Sequence, residues 1–127
     1  MVILMALIAS SCKKQVTEVP VDAFSDLNTL IEHREDNYLL LFTLQEYPYL
    51  EVGVRLSADR NAFYKNTGLV NYLSYPVSKN RYGVFLDTIE EGKTYYYQIY
   101  VKDSQSPKEA YSDVYSFKAT PLESIQQ

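Results

Sequence analysis

Few side chains of this sequence have the type and spacing that catalysis needs. His33 is the only histidine, and it lies in a polar stretch without a cysteine, a serine motif or a second histidine beside it. Glu35 and Asp36 are adjacent, as are Glu90 and Glu91, and neighbouring side chains of an extended chain point apart rather than converging as an acid–base pair must. No nucleophile motif or phosphate-binding glycine loop is present. We therefore expect a protein that is not an enzyme, with no cofactor or metal, in which His33 is a loop residue.

Cys12 is the one cysteine, and its position suggests a chemistry of attachment. Residues 1–9 are apolar, and two serines separate them from the cysteine. This order resembles a bacterial lipoprotein signal, in which an apolar stretch ends in small residues before a cysteine that becomes lipidated and begins the mature protein. The resemblance implies a signal peptide over residues 1–11, a lipid on Cys12 and a polar tether over residues 12–18. Two acyl chains on one cysteine would meet the requirement for stable membrane anchoring.

The signal departs from the lipoprotein pattern in two ways. No basic residue precedes the apolar run, as a secretory signal normally requires, so we expect the natural start to lie upstream of Met1. Ala9 stands where the family prefers leucine. Nine apolar residues are too few to span a bilayer, which takes ~20. The alternative is a buried first strand or a frayed apolar terminus of a cytosolic protein.

The composition favours one all-β domain. The chain has 127 residues, a length typical of a single domain. It holds thirteen tyrosines and five phenylalanines but only four glycines, and aromatic side chains favour strands. The net charge is −4, and the basic residues form no stripe, unlike a nucleic-acid-binding surface. We therefore expect no nucleic-acid partner.

Apolar runs and alternating patterns predict seven short strands. The clearest is the segment 49–57, in which apolar and polar residues alternate. Residues 25–37 are long enough for only a marginal helical turn, and we expect a connection there. The predicted strands cover residues 19–24, 38–44, 49–57, 69–75, 81–87, 94–102 and 110–119. Seven short strands at this spacing are typical of an antiparallel β-sandwich.

One set of residues has a spacing found in a known family: Ile89, Gly92, Thr94, Tyr95, Ile99, Ser116, Phe117, Thr120 and Pro121. Through these residues the segment 86–121 resembles the last three strands of a fibronectin type III domain, especially those in cell-envelope lipoproteins of the Bacteroides group. Glu91 stands where that family usually has proline. The resemblance implies a seven-stranded immunoglobulin/fibronectin type III-like β-sandwich over residues 19–121, with residues 122–127 as a tail.

The resemblance also implies a role for Tyr95. In immunoglobulin-like sandwiches a tyrosine near the start of strand F turns its hydroxyl back to the backbone, forming a tyrosine corner, and Tyr95 matches that position. Alternation along the strand then sends Tyr97 into the core with Tyr95.

Alternate residues of the same strand, Tyr96, Gln98 and Tyr100, point outward. They form a candidate binding face together with Arg55 and Glu51 of the neighbouring strand. Such a surface could stack on a sugar ring or dock a protein, because exposed tyrosine offers contact area together with a polar group. Two alternatives stay open. The residues could be cross-strand pairs that only stabilise the sheet, or the loop over residues 103–113 could be the binding element.

These features predict a non-catalytic lipoprotein of the bacterial cell envelope, held to the membrane through lipidated Cys12, that binds a glycan or a protein partner. Lys13 and Lys14 stand where surface-exported lipoproteins of this group carry acidic residues, which favours the periplasmic side over the cell surface. The alternative function is a structural accessory subunit without a ligand of its own, docking through strand edges or through the apolar face of Leu39 and Leu41.

Overall fold

The computed structural model describes residues 22–35, 37–103 and 108–120. The predicted signal peptide, Cys12, the tether and the tail 122–127 lie outside these residues. Within the described part, the chain forms two antiparallel sheets around one core, as predicted for an all-β sandwich.

Nine strands and one short helix make up the described secondary structure. They are β1 (Asn28–His33), β2 (Tyr38–Thr43), β3 (Glu51–Ser57), α1 (Ala62–Lys65), β4 (Val70–Leu73), β5 (Tyr75–Ser78), β6 (Arg81–Leu86), β7 (Thr94–Lys102), β8 (Glu109–Tyr111) and β9 (Tyr115–Lys118). The first sheet has the order β1-β2-β6-β5. The second has the order β4-β3-β7-β8, and β9 also pairs with β7.

The core lies between the two sheets and follows from the alternation of apolar residues. The first sheet contributes the fully buried Leu40 and Phe42 of β2, and the second sheet contributes the fully buried Val54 of β3 and Ile99 of β7. Burying each such side chain stabilises the fold by about 1.5–3 kcal/mol. The predicted bounds of β2, β3, β6 and β7 agree with the observed bounds to within two residues.

Two predictions near the start of the domain are wrong. The expected connection over residues 25–37 contains strand β1, which also places His33 in a strand rather than a loop. Pairing with β2 imposes a period of two, so Ile31 packs against the core and Leu30 is exposed. The predicted strand over residues 19–24 is not formed in its described part, because the Ser25 N–H donates to the carbonyl of Asp22 at 3.2 Å in a turn.

The chain changes sheet at Ser74, where the strand predicted over residues 69–75 divides. Strand β4 belongs to the second sheet and β5 to the first. The N–H and the hydroxyl of Ser74 both donate to the carbonyl of Val52, at 3.0 and 2.8 Å. The prediction that Pro76 ends a strand is wrong. Pro76 lies within β5, which is at a sheet edge, where a missing backbone donor is tolerated.

The last predicted strand also divides, into β8 and β9. Ser112 follows β8, and its N–H donates to the carbonyl of Ile99 at 2.9 Å while its hydroxyl accepts from the Ile99 N–H at 2.9 Å. This one residue therefore continues the pairing of β7 where the strand is interrupted.

Candidate functional site

A groove of about 330 Å³ lies on the outward face of the second sheet. Strands β3, β4, β7 and β8 supply its walls, and the loop 66–69 after α1 closes one side. Its position follows from strand register, because residues directly opposite one another on neighbouring strands point to the same face.

The first row of side chains across the groove is Glu51, Lys102 and Glu109, which we call the Glu–Lys–Glu row. These residues are direct register partners on β3, β7 and β8. The ammonium nitrogen of Lys102 is 3.8 Å from Oε1 of Glu51 and 3.8 Å from Oε2 of Glu109. Both distances exceed hydrogen-bond length, so the attraction within the row is electrostatic.

The second row places two tyrosines beside the two carboxylates. The Tyr100 hydroxyl donates to Oε2 of Glu51 at 2.7 Å, and the Tyr111 hydroxyl donates to Oε1 of Glu109. Burial, then the hydrogen bond to its carboxylate, raises the pKa of each phenol above the ordinary value. Both tyrosines are therefore neutral hydrogen-bond donors at physiological pH, and they fix the orientation of the carboxylates.

Tyr100 is not the exposed aromatic side chain that the sequence predicts. It is only 5% exposed, because its ring lies over Gly53, the opposing residue of β3. A Cβ at Gly53 would stand 2.5 Å from the Tyr100 ring. The missing side chain at Gly53 thus lets Tyr100 lie flat on the sheet, with its hydroxyl at the groove.

Arg55 lies in the third row and joins the sheet to the loop. Its Nη2 donates to Oδ1 of Asn66 at 2.7 Å, and its guanidinium carbon is 4.8 Å from the centre of the Tyr111 ring, a cation–π distance. Asn66 ends helix α1 in the left-handed conformation, with φ 55°, which asparagine tolerates better than most residues.

The structure brings together only part of the predicted binding face. Arg55, Glu51 and Tyr100 line the groove, whereas Gln98 and Tyr96 do not. The Gln98 side chain donates to the carbonyl of Ser112 at 2.9 Å, which is a contact within the fold. Tyr96 lies one row further along, opposite Ser57.

Most residues of the groove are absent from the predicted site, among them Lys102, Glu109, Tyr111 and Asn66. Lys102 continues the outward alternation of the same strand, and extending that alternation would have found it. Glu109 and Tyr111 required the division into β8 and β9. The position of Asn66 depends on the left-handed end of α1, for which the sequence gives no strong signal.

Tyr95 and Tyr97 point into the core, as the alternation predicts, with 6% and 3% of their surface exposed. The Glu90 N–H donates to the Tyr95 hydroxyl at 2.9 Å. The Tyr97 hydroxyl donates to the Thr29 hydroxyl at 3.1 Å, a bond that links the two sheets. Burial raises the pKa of Tyr97.

His33 lies away from this face, in the first sheet. Its ring stacks on Tyr38 with the ring centres 4.2 Å apart, and its buried Nδ1 has no hydrogen-bond partner among the described residues. The described residues hold no cluster of three or more His, Cys, Asp or Glu side chains suited to a metal ion. Nor do they include a helix long and apolar enough to cross a membrane.

No protein-family model and no curated protein matches this sequence. The fibronectin type III resemblance therefore stays a prediction.

Proposed function

We propose that this chain is a non-catalytic binding module of the bacterial cell envelope, which takes a glycan or a protein partner in the groove of the second sheet. The observation that carries the proposal is the groove itself, which combines two carboxylates, two cations and two tyrosine hydroxyls on one sheet face. Small-molecule sites are usually concave, with a few convergent polar groups on a mostly apolar lining; this groove has the convergent polar groups on a mainly polar lining.

A binding role suits this groove better than catalysis. Each carboxylate of the Glu–Lys–Glu row accepts a tyrosine hydroxyl and faces the same lysine. Both carboxylates thus have similar surroundings, whereas an acid–base pair needs two environments that differ.

The domain type that we propose is a fibronectin type III-like sandwich. Two features favour it: the central β3–β7 pair with β4 on one side and the last two strands on the other, and the hydrogen bond between the Glu90 N–H and the Tyr95 hydroxyl. The latter resembles a tyrosine corner, in which the phenol meets the backbone just before strand F.

Membrane attachment through Cys12 is the second part of the proposal, with the periplasmic side favoured. It depends on the sequence alone and is tested by labelled-palmitate incorporation in the wild type and in Cys12→Ser. We expect label only in the wild type, and an unlabelled wild type would contradict the anchor.

The alternative function, a structural accessory subunit, has its own supporting surface. The outward face of the first sheet exposes Leu30, Tyr75 and Phe85, with Tyr75 stacked on Phe85 at 5.7 Å between ring centres. Leu39, expected on a docking face, is only 4% exposed and contributes little to it.

Two matched substitutions separate these functions. Tyr111 in the groove and Phe85 on the first sheet are both 45% exposed, so Tyr111→Ala and Phe85→Ala remove similar accessible aromatic surface. Native mass spectrometry of the detergent-extracted lipoprotein reports whether bound material remains. Loss only in Tyr111→Ala supports the binding module, whereas loss only in Phe85→Ala supports the accessory subunit and contradicts the groove.

A further inference from the structure

The charges of the groove favour an uncharged ligand. Its charged lining residues are Glu51, Glu109, Arg55 and Lys102, which sum to zero. Lys102 stands between two carboxylates, and Arg55 faces a tyrosine ring and an amide oxygen. The two carboxylates would repel an anionic ligand, and the two basic groups would repel a cationic ligand. The groove therefore disfavours a net charge of either sign on its ligand.

The distances in the Glu–Lys–Glu row favour a hydroxyl group. One oxygen of each carboxylate accepts a tyrosine hydroxyl, and the other oxygen faces Lys102 at 3.8 Å. A hydroxyl can donate to a carboxylate and accept from an ammonium at the same time, whereas a peptide N–H only donates and a carbonyl only accepts. The row therefore offers one such position on each side of Lys102.

The polar groups of the groove are already fixed in place. Tyr100 is only 5% exposed, and its hydroxyl fixes the Glu51 carboxylate by a hydrogen bond. Arg55 is tied to Asn66 and lies over Tyr111. Groups that are ordered before binding lose less conformational entropy when the ligand arrives.

The size and lining of the groove suit a sugar ring. A volume of about 330 Å³ lies at the lower end of the ~300–1,000 Å³ range of small-molecule sites. Tyr111, 45% exposed, adds aromatic surface beside the polar row, and tyrosine presents an apolar face together with a polar group.

We infer that the groove binds an uncharged sugar unit, whose adjacent hydroxyls bridge Lys102 to Glu51 and Glu109. This inference rests on the proposed function and specifies its ligand. The protein contributes paired acceptors and donors to the sugar hydroxyls, and no bond is made or broken.

The test is calorimetric titration of the full lipoprotein in a zwitterionic detergent, because detergents with sugar headgroups would compete. The titrants are neutral oligosaccharides from glucan, mannan and galactan, acidic oligogalacturonate, and cationic chitosan oligosaccharide. We expect a neutral oligosaccharide to bind, with an affinity that changes by less than about threefold between ~50 and ~500 mM salt, since salt screens only charged pairs.

The variants test the row directly. Lys102→Met and Glu109→Gln should each weaken binding at least about tenfold, because each removes one of the two charged partners of a bridging hydroxyl. The matched controls are Lys79→Met and Glu46→Gln, which alter an exposed ion pair outside the groove with 3.7 Å between its charged atoms. Both should keep affinity within about twofold of the wild type. Circular dichroism establishes folding, and Glu109→Gln, which preserves side-chain size, keeps the test decisive if Lys102→Met unfolds.

Three outcomes would overturn the inference. Preferential binding of the acidic or the cationic sugar, weakened by salt, would leave the groove as a binding site but exclude an uncharged ligand. If no sugar binds while Tyr111→Ala releases a protein from the extracted lipoprotein, the partner is a protein and the proposed function stands. Sugar binding that survives both row variants would reject the groove and the proposed function together.

Discussion

Three consecutive tyrosines, Tyr95 to Tyr97, have three different surroundings. Tyr95 accepts a backbone N–H, Tyr97 donates to the opposite sheet, and Tyr96 lies on the outward face. The alternation of side chains along the strand predicted that Tyr95 and Tyr97 point into the core and that Tyr96 points outward. It also predicted Tyr100 to point outward, but it did not predict that a glycine beside Tyr100 would let the ring lie down and become buried.

At the residue scale, Tyr95→Phe should lower the free energy of unfolding by about 1–3 kcal/mol, because the Glu90 N–H would lose its partner in a partly buried position. A urea titration measures this change. The control is Tyr64→Phe, since Tyr64 is 80% exposed, and its effect should stay within about 0.5 kcal/mol. If the two variants lower the free energy of unfolding equally, the Tyr95 hydroxyl has no structural role.

At the element scale, the packing of Tyr100 of β7 against β3 depends on Gly53. The flat position of Tyr100 joins the two strands on their outward face and brings its hydroxyl to Glu51. A larger residue at position 53 would have to lift the ring and break that bond. Both the packing of Tyr100 on the sheet and the position of its hydroxyl in the groove therefore depend on the small residue at position 53.

Gly53→Ala should destabilise the fold by about 1–3 kcal/mol, as expected for overpacking against a fixed ring. Gly83→Ala is the matched control, because its Cβ would stand 3.1 Å from the partly exposed side chains of Tyr75 and Val77, which can move. We expect its cost to be below about 1 kcal/mol, offset by the lower entropy of the unfolded chain. Thermal unfolding of both variants makes the comparison. If Gly83→Ala costs as much as Gly53→Ala, the tight fit at Tyr100 is not the cause.

The strands that the sequence predicts best are those with strong internal alternation or long apolar runs, such as β2 and β7. Strand β1 escaped prediction because Leu27, Leu30 and Ile31 also fit a helical face, and only pairing with β2 decides between the two periods. Strand β5 was missed because Pro76 ends most strands, and its edge position depends on the whole sheet. The groove was predicted only in part for the same reason, since its rows join residues that are distant in sequence.

At the scale of the whole molecule, buried phenols make stability depend on alkaline pH. Burial is the main cause of the raised pKa of Tyr49, about 12, and the nearby Tyr82, Tyr47 and Asp22 add to it. An unfolded tyrosine has a pKa of about 10, so the folded state holds the proton more tightly. The stabilising contribution is complete below about pH 10 and is lost as the pH rises towards 12.

The free energy of unfolding should therefore fall between about pH 10 and pH 11.5, and it should fall less in Tyr49→Phe than in the wild type. Urea titrations at these pH values, with tyrosinate absorbance as a second signal, measure the difference. Tyr64→Phe serves as the control because Tyr64 is 80% exposed. If Tyr49→Phe and Tyr64→Phe lose stability equally with pH, Tyr49 does not contribute to the alkaline transition.

The place of β7 in the second sheet also governs when the fold can form. Strand β7 pairs with β3 on one side and with β8 and β9 on the other. Glu51 of β3 therefore pairs with Lys102, a residue far along the chain. Pairings between residues so far apart in sequence fold slowly, on the scale of milliseconds to seconds. All four strands of the first sheet precede β7 in the sequence, whereas the groove needs β7 and β8 and is completed only with these late strands.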